Sequence, residues 1–403
     1  MASTLALGSS GYALLEMDGE TASNAARVSA RSRRSVDQAV VTGRGTLDDL
    51  GVGGDGGSQS VSIRGVTTDL IASLGGGSDT LSLQGGAERA QIFLDETSAG
   101  SVGGSDQFTA SNLSRDSYVW AGGGDDTIRV TGSSDGTLFD LGDGDDVLSV
   151  SGSSANLNVA AGAGDDSLQF NGGVGDAAGS TSRIDAGAGN DTVVLNGGVA
   201  NTDVFLGAGN DSLVVRGGGE AFGVDASQGA DTISLSGDFS DTYLGLGGGD
   251  RVSVDGLFSG SVESNASGDT LVFGSYSDVS GSVFAMGGGN DSLVFGSAVN
   301  DTLIDLGAGD DTIVFGKYTS MSYTEVDLSG GGADQIYLAT DMTSDEFGYL
   351  NLENFVITGA SEDDVLWVGS SILTKYGYDG GGDWTQRDIA SGSSSGDTLN
   401  FGV

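Results

Sequence analysis

The sequence predicts an all-β protein: a parallel β-solenoid, or β-roll, with about 20 residues per coil, a short N-terminal arm and an irregular C-terminal cap. Three observations support this prediction. A glycine-rich turn ending in aspartate recurs at nearly fixed spacing, apolar and polar residues alternate on both sides of it, and the 403 residues include 74 glycines but no proline. So much glycine without proline excludes collagen and indicates many tight turns of one kind.

The repeat is defined by the aspartate that ends each glycine-rich turn. These aspartates are Asp79, Asp126, Asp146, Asp166, Asp191, Asp211, Asp231, Asp250, Asp269, Asp291, Asp311 and Asp334. From Asp126 onward their spacing is roughly 19 to 25 residues and most often about 20, which is typical of a solenoid. The coils of a solenoid are stabilised by stacking on one another.

Each period contains two short strands joined by two turns. Apolar residues alternate with polar ones after the acidic turn, as at Leu148 and Val150, and before it, as at Phe139 and Leu141. Alternation with a period of two indicates strands that bury one face. The other turn is a looser Gly/Ser stretch, such as residues 151–154. We therefore expect the solenoid to span residues 45–340.

The acidic turns raise an electrostatic problem that a cation would solve. The formal net charge is −42, and stacked coils would align the aspartates about 5 Å apart, where like charges repel strongly. Calcium accepts six to eight oxygen ligands in loose geometry, so glycine carbonyls and aspartate carboxylates suit it, whereas magnesium requires a stricter octahedron. The sequence therefore predicts several bound Ca²⁺ ions.

Residue types that are missing exclude several classes of protein. The chain has no cysteine and no histidine, which excludes disulfides, thiolate zinc sites, HExxH metalloproteases and Ser-His-Asp triads. No apolar run approaches the roughly 20 residues of a membrane span. Residues 1–20 lack the positive region of a cleaved secretion signal.

The acidic turns resemble a known calcium-binding motif. Residues 187–195, 207–215 and 287–295 read GAGNDTVVL, GAGNDSLVV and GGGNDSLVF, and they resemble the nonapeptide GGxGxDxUx of RTX, or haemolysin-type, proteins. The first glycine is replaced in most copies, as by Leu141 and Ala161. The resemblance covers roughly residues 65–340.

The RTX resemblance implies a right-handed parallel β-roll with calcium between stacked turns, held by backbone carbonyls and the aspartate at the sixth position. The implied side-chain ligands are Asp79, Asp126, Asp146, Asp166, Asp191, Asp211, Asp291, Asp311 and Asp334. Typical RTX rolls repeat the motif every nine residues and carry calcium on both edges. This chain has one motif per coil of about 20 residues, so we expect calcium on one edge only.

Three central turns depart further from the motif. The turn before Asp231 lacks the first glycine, the turn before Asp250 is one residue short, and the turn before Asp269 has lost most of the pattern. Plain solenoid corners with solvated acids are the alternative interpretation for these three turns. On that interpretation, the calcium column is divided into two arrays.

The two ends of the chain differ from the repeats. Residues 1–44 include Arg27, Arg31, Arg33, Arg34 and Arg44. Within this segment, residues 20–41 have helical character, and the basic arm is expected either to cap the roll or to dock on a neighbouring copy. Residues 341–403 lose the period and are expected to form a β-rich cap or an assembly surface.

These features predict a non-enzymatic, calcium-stabilised structural protein outside the cell or on its surface that self-assembles into a surface layer or filament. The RTX resemblance implies that it is exported by type I secretion. Its partners would be other copies of itself, with cell-surface polysaccharide as a further candidate. A nucleic-acid partner is not expected, because so acidic a body repels phosphate.

The same residues bear on three other functions. A decoration or fibre protein of a virion would need the same roll and no signal peptide. A polysaccharide lyase or epimerase would need a basic residue or tyrosine beside neutralised carboxylates, and the arginines form no such cluster in the sequence. Ice binding would favour a regular threonine rank at the turn, where this chain has Ala, Gly or Asp.

Overall fold

The computed structural model describes residues 38–338, apart from 55–56, 96–102, 177–178 and 317–318, and short strands on either side of that range. The chain divides into two compact units, Met1–Ala208 and Gly209–Val403. Within the described residues, every helix or strand assigned is a β-strand. Among them, no helix is long and apolar enough to cross a membrane.

The strands of the first unit, in chain order, are Ser3–Ala6 (β1), Tyr12–Met17 (β2), Gln38–Asp48 (β3), Leu50–Gly53 (β4), Ser60–Thr68 (β5), Ile71–Ser73 (β6), Thr80–Leu83 (β7), Ala87–Glu88 (β8), Gln91–Phe93 (β9), Gln107–Ala110 (β10), Leu113–Gly123 (β11), Thr127–Val130 (β12), Ser134–Asp143 (β13), Val147–Val150 (β14), Asn158–Ala163 (β15), Ser167–Phe170 (β16), Ser182–Asp185 (β17), Thr192–Leu195 (β18) and Val199–Phe205 (β19).

The strands of the second unit, in chain order, are Ser212–Arg216 (β20), Gly219–Asp225 (β21), Thr232–Ser236 (β22), Phe239–Gly245 (β23), Arg251–Asp255 (β24), Phe258–Glu263 (β25), Thr270–Phe273 (β26), Val279–Ser280 (β27), Val283–Ala285 (β28), Ser292–Phe295 (β29), Val299–Asp305 (β30), Thr312–Phe315 (β31), Ser320–Asp327 (β32), Gln335–Leu338 (β33), Asn351–Glu353 (β34), Val356–Thr358 (β35), Val365–Val368 (β36) and Thr398–Phe401 (β37).

Each unit is a parallel β-solenoid. In the first unit, β12 pairs in parallel with β14 and β14 with β16, so that Ile128, Leu148 and Leu168 occupy equivalent positions one coil apart. In the second unit, β26 pairs with β29 and β29 with β31 in the same manner. The predicted fold class is confirmed, as is the coil of about 20 residues.

The core of each unit consists of columns of inward side chains. In the second unit, the rings of Phe273 and Phe295 are stacked with their centroids 5.1 Å apart, and those of Phe295 and Phe315 lie 5.4 Å apart. All three side chains are buried. Because each aromatic ring packs on the rings of adjacent coils, burial is shared between coils and a single coil is not stable alone.

The edge opposite the acidic turns has a different chemistry. In the first unit its buried polar side chains include Ser117, Thr137, Ser182 and Thr202. The hydroxyl of Thr202, for example, donates to the carbonyl of Ala200 at 3.0 Å. Among the described residues of this edge, the buried polar groups are hydroxyls and not carboxylates, so they carry no charge for a cation to neutralise.

Strand pairing extends beyond the predicted solenoid boundaries at residues 45 and 340. At the N-terminal side, β2 pairs in parallel with β3. At the C-terminal side, β34 and β35 pair with β32, and β36 pairs with β33. Residues 38–41 are part of strand β3, so the helix expected over 20–41 is wrong for them. The remainder of that segment lies outside the described residues.

Candidate metal centre

The acidic turn depends on glycine at two positions. Gly142 and Gly144 have φ values of +104° and +143°, a range that residues with a Cβ rarely adopt. A Cβ on Gly142 would lie 1.8 Å from the carbonyl oxygen of Gly122, and one on Gly144 would lie 2.1 Å from that of Gly124. The glycines therefore allow the backbones of successive acidic turns to stack closely.

The aspartate that ends the turn is linked to the next coil. The amide of Asp126 donates to Oδ1 of Asp146 at 2.7 Å, and the amide of Asp146 donates to Oδ1 of Asp166 at 2.8 Å. The same bond recurs in the second unit, as from Asp291 to Asp311 at 2.7 Å. One oxygen of each acceptor carboxylate is thus used to align the turns.

The second carboxylate oxygen of many of these aspartates is buried without a hydrogen-bond partner. This holds for Oδ2 of Asp106, Asp126, Asp146, Asp166, Asp231, Asp291 and Asp311. Each of these residues is at most 2% exposed. A buried, unpartnered carboxylate oxygen is costly unless it gains a proton or a cation.

Burial perturbs these carboxyl groups strongly. It raises the pKa of Asp126 to about 8 and that of Asp146 to about 6, although each accepts a backbone hydrogen bond that lowers the pKa. It also raises the pKa of Asp231 and of Asp291 to about 7, with neighbouring aspartates of the column adding repulsion. The raised pKa values therefore favour bound positive charge in the column, either protons or a metal ion, near neutral pH.

The residue before the recurring aspartate has a separate role. Oδ1 of Asp145 accepts the amide hydrogen of Asp165 at 2.8 Å, and Oδ1 of Asn290 accepts that of Asp310 at 3.0 Å. These side chains are exposed. Because aspartate and asparagine both supply the acceptor oxygen, these side chains act in the turn as hydrogen-bond acceptors and not through their charge.

The predicted ligands all lie in buried positions on acidic turns. The residues concerned are Asp79, Asp126, Asp146, Asp166, Asp191, Asp211, Asp291, Asp311 and Asp334. Asp231, Asp250 and Asp269 are buried as well, at 1–2% exposure, so they are not the solvated corner acids that the alternative interpretation required. That these residues are calcium ligands stays a prediction.

Two buried aspartates of the first unit were missed by the sequence reasoning. Asp106 lies in register with Asp126, 20 residues later, and follows Gly103 and Gly104, so its spacing could have identified it. Asp95 has no such signal. Its Oδ2 accepts the amide hydrogen of Gly123 at 3.0 Å. Burial raises the pKa of Asp106 to about 8, and the charge of Asp95 adds to this shift.

Backbone oxygens would have to complete any metal site here. Among the described residues, no group of three acidic, histidine or cysteine side chains could hold an ion by itself. Each turn instead offers a buried carboxylate beside closely stacked glycine backbone. All of these candidate ligand atoms are oxygens, which suits a hard cation such as calcium.

Fold and site together define a class: a parallel β-solenoid with a column of buried carboxylates along the turns of each unit. No family model and no curated protein matches the chain. Among solved structures, the chain is similar to a hyperactive, Ca²⁺-dependent, β-helical antifreeze protein from an Antarctic bacterium, at 24% identity and a TM-score of 0.49, covering 72% of this chain and 82% of that one. That likeness says nothing about the function of this chain.

Proposed function

We propose that this chain is a non-enzymatic structural protein whose β-solenoid is stabilised by calcium ions bound along the acidic turns. The observation that supports this proposal is the column of buried aspartates with unpartnered Oδ2 atoms. A cation shared by successive turns would neutralise these carboxylates and the repulsion between them. The side chains proposed to hold the ions are Asp106, Asp126, Asp146, Asp166, Asp231, Asp291 and Asp311, together with the predicted Asp79, Asp191, Asp211 and Asp334.

Calcium is expected to control folding of the purified chain at neutral pH. With a chelator present, the circular dichroism spectrum should be that of a disordered chain, and millimolar calcium should restore a β-sheet spectrum. The physical reason is that ions bound only by the folded state add their binding free energy to its stability. Magnesium at the same concentration serves as the control and should restore far less. Identical spectra with chelator and with calcium would contradict the proposal.

The described ion pairs support a non-catalytic role. Arg89 contacts Asp69 and Glu88, Arg115 contacts Glu88, and Arg183 contacts Asp185. The arginine side chains in these pairs are 43–72% exposed, whereas the column carboxylates are buried. A lyase or epimerase would instead place a basic group beside its neutralised carboxylate.

A location outside the cell follows from the same dependence on calcium. Calcium is scarce inside cells and reaches millimolar concentrations outside, so the chain would stay unfolded until exported and would fold afterwards. Type I secretion, which the RTX resemblance implies, transports such unfolded chains. This location belongs to the proposal, as does assembly into a surface layer or filament.

Assembly through the basic N-terminal segment has a direct test. Because strand β3 begins at Gln38 and pairs with β5, a deletion should end at residue 37, which leaves this pairing intact although it removes β1 and β2. We expect electron microscopy in calcium to show layers or filaments for the full chain and dispersed particles for the deletion. A full-length variant with Arg27, Arg31, Arg33 and Arg34 changed to glutamine separates charge from length, and it should also stay dispersed. Equal assembly by all three proteins would contradict the role of this segment.

A further inference from the structure

The turns that end at Asp250 and Asp269, in the second unit, differ from the rest of the column in how their carboxylates are satisfied. Oδ2 of Asp250 accepts the amide hydrogens of Gly247 at 3.1 Å and Gly248 at 3.4 Å. Oδ2 of Asp269 accepts the hydroxyl hydrogen of Ser264. These two aspartates are as buried as the others, but the protein itself supplies donors to the oxygens that have no hydrogen-bond partner at Asp231, Asp291 and Asp311.

The length of the turn explains the donors at Asp250. Three residues separate Leu246 from Asp250, whereas four separate Leu306 from Asp311. The Oδ2 atom of Asp311 has no hydrogen-bond partner. In the shorter turn, the amides of its own glycines reach the carboxylate. Hydrogen bonds to the ionised form stabilise the negative charge without an ion.

A difference in residue type between neighbouring coils explains the hydrogen-bond donor at Asp269. Ser264 stands in register with Leu246 and Met286, both of which are buried apolar residues before the turn. A hydroxyl there takes the place of an aliphatic side chain and donates to Asp269. Next to it, the side-chain amide of Asn265 donates to the carbonyl oxygen of Gly247. A backbone oxygen of these turns is therefore also engaged by a protein donor.

We infer that residues 246–269 form a calcium-free interval, in which internal hydrogen bonds replace the ions that bind to turns on both sides. Asp231, whose Oδ2 has no partner, belongs with the ion-binding turns although its sequence departs from the motif. The calcium-free interval therefore contains two turns, and not the three that the sequence indicated. This inference rests on the proposed function and specifies where along the second unit calcium binds.

Counting ions in full-length variants tests the inference. Equilibrium dialysis with elemental analysis gives bound calcium per chain at saturation, and each Asp→Asn change keeps the oxygen that accepts the aligning amide hydrogen. We expect Asp231→Asn and Asp291→Asn each to lose about one ion or more. Asp250→Asn and Asp269→Asn should leave the count unchanged. An Asp250→Asn or Asp269→Asn variant that loses as many ions as Asp291→Asn would overturn the inference.

A variant designed to gain a calcium site gives a second test, because an Asp→Asn variant that misfolds would lose ions for a different reason. Inserting one asparagine between Gly249 and Asp250 reproduces the spacing of residues 287–291, and Ser264→Leu restores the aliphatic residue found in neighbouring coils. Together these changes should raise the count by about one ion. An unchanged count with an intact β-sheet spectrum would overturn the inference. A wild-type chain that binds no calcium would overturn the proposed function itself, and the two failures are therefore distinguishable.

Discussion

In the absence of metal ions, the chain is expected to be more stable at about pH 5 than at about pH 8. Burial raises the pKa of Asp106 and Asp126 to about 8 and that of Asp166 and Asp291 to about 7. In the unfolded chain these carboxyls titrate near the ordinary value of about 4. At pH values between about 4 and about 8, the folded state therefore binds more protons than the unfolded state.

The sign of the effect follows from this difference in bound protons. The free energy of unfolding falls as pH rises wherever the folded state holds more protons, so the contribution is fully present below about pH 4 and is lost progressively as pH rises from about 4 to about 8. Allowing only about 1 kcal/mol for each carboxyl, to discount for solvent screening, several together shift Tm by on the order of 10 °C. Calcium competes with these protons, so calcium-loaded protein should lose stability on acidification instead.

Circular dichroism spectra and thermal melts at the two pH values, with and without calcium, check this prediction. The metal-free chain should show a β-sheet spectrum with a thermal transition at about pH 5, and little or no β-sheet to melt at about pH 8, where the chelated chain is expected to be disordered. The matched control is Asp135→Asn, which removes an exposed charge and keeps the oxygen that accepts the amide hydrogen of Ala155, and which should leave the pH dependence as it is in the wild type. A Tm that rises with pH in the metal-free chain would contradict the protonation argument.

The periodic part of the fold could be predicted because the same physical constraints recur in every coil. Alternating residues such as Leu148 and Val150 must enter the core, and Gly142 and Gly144 must adopt backbone angles that other residues avoid. The departures from the RTX pattern have the same origin. Leu141 and Ala161, which replace its first glycine, are fully buried, so core packing and not turn geometry decides the residue type there.

The rest of the site depends on contacts between coils that no local pattern records. Asp95 reaches the amide of Gly123, 28 residues later, and Ser264 meets Asp269 only because the turn between them folds back. The turn before Asp231 lacks the first glycine of the motif, which argued against calcium binding there, but Ser227 stands at the position of that glycine and adopts a φ of +60°. Local motif rules therefore underestimated how well the column tolerates variation in the turn.

Gly144→Ala is expected to destabilise the first unit severely, while Gly123→Ala in the preceding coil is expected to be neutral. At Gly144 the φ of +143° is essentially restricted to glycine, which costs about 1–3 kcal/mol for alanine. The new Cβ would also lie 2.1 Å from the carbonyl oxygen of Gly124, so the stacked turns must separate. Together these effects remove several kcal/mol from a total stability of about 5–15 kcal/mol.

The Gly123 position supplies the matched control. A Cβ there would meet no atom closer than 3.7 Å, and the equivalent position one coil beyond Asp143 is already alanine, at Ala163. Its substitution should change the free energy of unfolding by less than about 0.5 kcal/mol. Urea unfolding in saturating calcium measures both variants. Because separation of the turns would also disturb the carboxylates beside them, Gly144→Ala should need more calcium to fold than Gly123→Ala, and equal calcium midpoints would show that turn stacking and ion binding are independent.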